Sequence, residues 1–258
     1  MNTARIISIV AWETLRRARR RRHLPILLVA SLAVAGAISY LTFFGTGQYQ
    51  QFYCHMMMFV LPLLSVLVAV LSSCWVLPQQ MADKTVHMML ARPVHRWQVV
   101  VGTHLGVCVT SLGAYAVFAA LFLVALAWRG VALPPALPHA LMLLALQICL
   151  FCALAMLISL LTTPAMTATV CIFFYFVGQW IQPTLVKQLH MGTWLSRASY
   201  WLLYVALPHL NYFDLTDAVV HQWPAAAWAK MVPVVAYGLG WTFLLLVLAI
   251  MRFKRCDL

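Results

Sequence analysis

Acidic residues are almost missing from this sequence. Its 258 residues include five Asp and Glu against 17 Lys and Arg, and charged residues make up only 9% of the chain. A soluble domain carries about 25%, so this chain has too little charge to cover a water-facing surface. Between Leu24 and Ala82 there is no Lys, Arg, Asp or Glu, and none of the five carboxylates (Glu13, Asp83, Asp214, Asp217, Asp257) falls inside an apolar run. Ion-driven carriers and pumps place carboxylates within the membrane as relays, and that device is lacking. Also lacking are a phosphate-cradling G-x-x-x-x-G-K-[ST] loop, an H-E-x-x-H zinc helix and a G-x-S-x-G nucleophile elbow. The chain therefore reads as no enzyme, and energy for uphill work would have to enter from elsewhere. The seven cysteines lie mostly in apolar runs, where Cys acts as a small hydrophobe rather than as part of a disulfide framework.

What is present is apolar: 64% of the residues are hydrophobic. A membrane span takes about 20 such residues. Six runs meet that description, at 24–44, 52–77, 99–128, 139–161, 165–181 and 231–251. The expected fold is all-α: a polytopic membrane protein with a six-span domain over 24–258, preceded by a basic amphipathic helix over 1–23. On that helix Ile6, Ile7, Val10, Ala11, Thr14 and Leu15 share an arc opposite Arg5, Glu13, Arg16 and Arg20, with Ile9 and Trp12 out of pattern. Such a helix suits the lipid interface, where Trp is at home. Ala33-Val34-Ala35-Gly36-Ala37 could pass for a signal-cleavage region, but the basic stretch is long for that and the apolar run continues beyond it.

The net charge of +12 is not a nucleic-acid footprint. Arg16, Arg17, Arg19, Arg20, Arg21 and Arg22 directly precede the first run, and Arg252, Lys254 and Arg255 directly follow the last. Anionic lipid favours each such residue by about 1 kcal/mol. By the Lys/Arg asymmetry rule, both termini and the 78–98 loop are expected in the cytoplasm. The 45–51, 129–138 and 182–230 segments are expected outside, the last with a short apolar piece, Tyr200–Leu207, that cannot cross a bilayer.

The 78–98 loop carries a short amphipathic pattern. Asp83 can cap a helix whose apolar stripe is Val86, Met89 and Leu90, and Pro93 ends it near Ala91. That stripe could enter a groove on a partner or pack on the chain's own bundle; both bury the same residues. Asp214 can likewise cap a short helix with Asp217 in its first turn. Three histidines sit close to span ends, His55, His104 and His139, and His104 and Cys108 share a face, as do Cys149 and Cys152. Cys54-His55-Met56 offers soft ligands that would suit copper, but Met and Cys are ordinary fillers of apolar helices, and no metal site is assigned.

Three stretches resemble the ABC-2 type transporter permeases. The loop supplies Asp83, Thr85, Leu90-Ala91-Arg92-Pro93-Val94-His95-Arg96 and Gly102, with Thr103 where the family often has Lys. Ile9–Arg17 looks like the family's N-terminal interfacial helix, and Leu207-Pro208-His209-Leu210-Asn211-Tyr212-Phe213-Asp214 looks like its outer segment before the last span. The resemblance implies a permease subunit, paired as a homodimer or with a second permease, above a separate cytoplasmic ABC ATPase that holds the ATP and Mg. It makes Asp83, Thr85, Leu90, Arg92, Pro93 and Arg96 the coupling candidates, and Pro208, Asn211, Phe213 and Asp214 the outer motif. Export across a cell membrane, the bacterial inner membrane, is the expected activity. The alternatives are a membrane scaffold or assembly factor, and a permease that assists copper-enzyme maturation.

Overall fold

The computed structural model describes residues 3–19, 23–40, 49–82, 95–128, 130, 132–191, 208–224 and 228–255. Every regular element among them is helical: α1 (Thr3–Arg19), α2 (His23–Tyr40), α3 (Tyr49–Ala82), α4 (Arg96–Trp128), α5 (Leu137–Ser159), α6 (Pro164–Met191), a 3₁₀ turn (Leu210–Phe213), α7 (Thr216–Val220) and α8 (Trp228–Lys254). Four are long and apolar enough to cross a membrane: α3, α4, α5 and α8. In addition, α2 is an 18-residue apolar helix without Lys, Arg, Asp or Glu, and α6 has a shorter apolar stretch over Pro164–Gln179. At about 1.5 Å per residue, the 34 residues of α3 and 33 of α4 outrun the roughly 30 Å hydrocarbon layer, so both project from it or tilt within it.

Several helices extend beyond the apolar runs read from the sequence. A proline removes a single hydrogen bond, and it ends a helix only where packing does not hold the chain. α3 continues through Pro78 to Ala82 because Leu77 and Gln80 on either side are buried. α5 starts at Leu137, with Pro138 in the first turn, where its absent N–H costs nothing. α6 runs on to Met191, ten residues past 181. Between α5 and α6 the chain does break at Thr162-Thr163-Pro164. Thr162 Oγ1 donates to the Ile158 carbonyl at 3.1 Å, and the Thr163 carbonyl accepts the Thr167 N–H at 2.9 Å.

α3 and α5 are central and α8 is peripheral: 67% and 61% of their most apolar stretches are buried, against 22% for α8. One cluster, with Tyr53, Phe118, Phe122, Leu126, Leu137 and Val219, joins the start of α3 to the end of α4, the start of α5 and α7. Another, of Leu77, Val100, Met156, Ala249 and Phe253, joins the opposite ends of the same helices to the end of α8. The bundle thus has two chemically distinct ends. Arg96, Arg252 and Lys254 mark the basic one, where Arg96 Nη1 donates to the Lys254 carbonyl at 3.0 Å. Asp214 and Asp217 mark the other. Buried hydroxyls of Ser65, Ser73, Thr110 and Thr242 return to carbonyls one turn back in their own helices, which meets the demand that polar groups in lipid be satisfied internally.

α1 packs along the first turns of α4 through Ile6, Val10, Thr14 and Ala18, while Ile9 and Trp12 face outward and Arg16 lies over the Trp12 ring at 5.3 Å. The approach is backbone-close. A Cβ at Gly102 would meet Val10 Cβ at 2.8 Å, and one at Gly106 would meet the Ala11 carbonyl oxygen at 2.6 Å. Gly102 and Gly106 thus form a G-x-x-x-G face, the pattern that lets helices in lipid approach closely. Gly106→Leu should detach α1 and cost about 1–3 kcal/mol of overpacking. The readouts are a lowered melting temperature in mild detergent and new protease cuts in α1. Gly113→Ala, at a site with nothing within 4 Å, should change neither.

Candidate functional site

The acidic end is built by a segment that two glycines hold in place. In Pro208–Asp214, Leu210 and Phe213 are buried. Gly178 on α6 leaves the room that Leu210 fills. On α8 a Cβ at Gly238 would meet Phe213 Cε1 at 2.9 Å and Leu146 Cδ2 at 2.6 Å. The Tyr237 hydroxyl accepts the His209 backbone N–H at 2.8 Å and lies 2.9 Å from His209 Nδ1. Tyr212 stacks on the His209 ring at 5.3 Å. The aromatic residues of this stretch are therefore wedges and struts.

These wedges deliver Asp214. Its Oδ1 accepts both the backbone N–H and the hydroxyl of Thr216, at the start of α7. The cap position itself is Leu215, so Asp214 caps from one residue earlier than the sequence suggests, and Asp217 does lie in the first turn of α7. Neither carboxylate has a cation partner among the described residues, whose ion pair is Glu13–Arg17 at 3.0 Å.

Asp214 and Asp217 border a cavity of about 320 Å³ between α3, α5, α6 and this segment. His55, Met58, Phe59 and Pro62 line it from α3, Leu144 and Gln147 from α5, and Tyr175, Phe176 and Gln179 from α6. Pro62 offers no N–H to the Met58 carbonyl one turn back, so this stretch of wall is locally electronegative. Gln147 is 2% exposed, and its Nε2 has no hydrogen-bond partner. Buried amide donors are rarely left unmet.

At the basic end α3 stops at Ala82 and α4 begins at Arg96, and the coupling candidates fall in the sequence between and at those points. Asp83, Thr85, Leu90, Arg92 and Pro93 lie outside the described residues, and Arg96 is the coupling candidate that can be placed. α4 opens with a side-chain cap: Gln98 Oε1 accepts the His95 backbone N–H at 3.0 Å, half of a capping box.

Residues 21–258 match the family model described as ABC-2 family transporter protein. The chain belongs to the ABC-2 transporter family. It is the membrane subunit of an ABC transporter, a multi-pass permease rather than an enzyme in its own right. No curated protein matches it in sequence.

In this permease the soft-ligand triplet does not converge. Cys54 is buried in the core, Met56 packs at the core's edge, and His55 opens to the cavity. Among the described residues no group of three or more His, Cys, Asp or Glu is placed to hold a metal. His104 Nε2 lies 3.4 Å from Cys108 Sγ, Cys152 Sγ lies 3.7 Å from Ser111 Oγ, and the His139 ring lies tilted against Trp228 with centroids 4.4 Å apart. Of the outer motif, Asp214 and Phe213 reach the cavity, Pro208 is buried, and the Asn211 carbonyl accepts the Asp214 N–H at 3.2 Å. Sequence reasoning missed Gln147. Its signal was a lone amide in the middle of an uncharged span, a position that is costly in lipid. Phe213→Ala should cost about 3–5 kcal/mol by emptying the space beside Gly238, and Tyr237→Phe about 1 kcal/mol by removing the His209 contacts. Thermal unfolding of the two variants in detergent checks the ranking.

Proposed function

We propose that this permease crosses the membrane six times and exports its cargo, driven by a separate cytoplasmic ATPase that docks on residues 83–94. The spans are α2, α3, α4, α5, the apolar part of α6, and α8, with the basic end in the cytoplasm and the acidic end outside. α1 lies at the cytoplasmic interface, with Trp12 and Arg16 toward the headgroups, a pairing suited to that layer. The bacterial inner membrane is the compartment, and two copies of the chain, or this chain and a second permease, form the pathway.

The observation that carries this reading is the family match over residues 21–258. The place of the 83–94 segment supports it. The segment joins two helices at the end where Arg96 contacts the Lys254 carbonyl, so a push there would reach α4 and α8 together. Val86, Met89 and Leu90 give that segment its apolar stripe, suited to a groove on a partner.

Leu90→Asp should leave the permease folded, with an unchanged melting temperature, and should release the ATPase. C-terminally tagged protein is extracted in mild detergent and its partners identified by mass spectrometry. The wild type is expected to bring down an ATPase in near-equal amount, with ATP hydrolysis by the complex, and the variant is expected to lose both. Equal recovery from the two proteins would count against docking on this segment. A folded wild type with no ATPase, from cells where it is active, would point to a scaffold role.

A further inference from the structure

The cavity at the acidic end has a composition unlike the rest of the chain. The sequence carries +12 net charge and five carboxylates in all, yet two of the five, Asp214 and Asp217, border this one space, and among the described residues no Lys or Arg lines it. Lys230, in the first turn of α8, is exposed and is not part of the lining. A cleft with one sign of charge and low-dielectric walls concentrates field and gathers counter-ions. Its walls are aromatic as well: Phe59, Tyr175 and Phe176 line it, and Tyr175 and Phe176 stand edge to face at 5.5 Å. Aromatic faces attract cations, and quaternary ammonium groups are the ligands best held by such surroundings. Gln147 adds a second requirement. Gln147 lines the same space, and its buried Nε2 has no hydrogen-bond partner among the described residues, a lack that an acceptor such as a carbonyl or ester oxygen would meet. It lies ten residues into α5, about 15 Å along the helix from its start, far below a surface loop.

We propose that this cavity binds a cationic amphiphile: an ammonium head held by Asp214 and Asp217 among the aromatic rings, an apolar chain along the helix walls, and an acceptor oxygen at Gln147. That the amphiphile is the cargo rests on the exporter reading above; the binding itself does not. An anionic headgroup is disfavoured at this rim by the two carboxylates.

The test is photolabelling of the purified full-length protein in dodecyl maltoside. Three probes share one diazirine-bearing dodecyl chain and differ in head: trimethylammonium, sulfate and maltoside. The ammonium probe is expected to label wall peptides containing Phe59 and Phe176 about tenfold more than the other two, the scale of a desolvated cation–aromatic contact plus ion pairing. Asp214→Asn with Asp217→Asn should reduce its labelling to the maltoside level. Asn caps as well as Asp, so an unchanged melting temperature is expected; should the double variant misfold, Asp217→Asn alone takes its place, with a partial reduction expected. Gln147→Leu should leave stability equal or higher while weakening competition by an acylcholine, which carries an ester oxygen, relative to an alkyltrimethylammonium of the same length. Equal labelling by all three heads, or labelling unchanged in the Asp variants, would overturn the site. Loss of labelling on adding excess phosphatidylcholine would assign it to a resident lipid and overturn the cargo; persistence would support the cargo. No ATPase is present, so a negative result leaves the transporter reading standing, and loss of the ATPase interaction leaves the binding result standing.

Discussion

Close approach of helices at glycine is the contact on which the rest of this permease depends. Lipid tails are as apolar as leucine side chains, so burial of hydrophobic surface gives helices little reason to associate in a bilayer, and tight packing must supply it. This chain has few alternatives. Its ion pair among the described residues, Glu13–Arg17, lies on α1 with both partners partly exposed, a setting worth at most about 1 kcal/mol. The buried hydroxyls of Ser65, Ser73, Thr110 and Thr242 are occupied within their own helices, while those of Tyr53 and Tyr115 cross to the carbonyls of Phe122 and Leu141. What remains is the fit of one helix against another at Gly102, Gly106, Gly178 and Gly238, where even one extra carbon would collide with a neighbour.

Each of these contacts has a consequence at one end of the bundle. Gly102 and Gly106 hold α1 against the first turns of α4, next to the point where residues 83–94 rejoin the helix. Gly178 and Gly238 accept Leu210 and Phe213, and so fix the turn that carries Asp214 to the cavity rim. The same packing device therefore serves both ends of the bundle. α3 and α5 reach both ends and form the centre of the bundle.

The helices were legible in the sequence because their signal is local. Length, apolarity and the lack of charge pick out α3, α4, α5 and α8, and the amphipathic pattern of α1, with Ile9 and Trp12 out of place, reappears as a buried stripe and an exposed one. Asp214 was legible as a capping residue because capping acts over two or three positions, though the register was off by one. Where α3 and α5 extend beyond their apolar runs, at Pro78 and Pro138, the extension depends on what packs beside the chain and on place within the helix, which a run of apolar residues does not record. Gln147 was overlooked among three more conspicuous histidines, of which His104 and His139 turn out to face neighbouring side chains and only His55 opens to the cavity.

By itself the sequence determined that this chain belongs in a membrane, that its charges lie at the ends of its apolar runs, and that the ABC-2 pattern extends along it. These follow from composition and short-range periodicity, which each segment carries within itself. Only the tertiary structure decided that residues as far apart as His55, Gln147, Tyr175 and Asp214 border one cavity, and that Cys54, His55 and Met56 have different surroundings. The reason is geometric. Successive residues on a helix point about 100° apart, so neighbours in the chain are separated in space, while packing at a few glycines brings together side chains that no local pattern links.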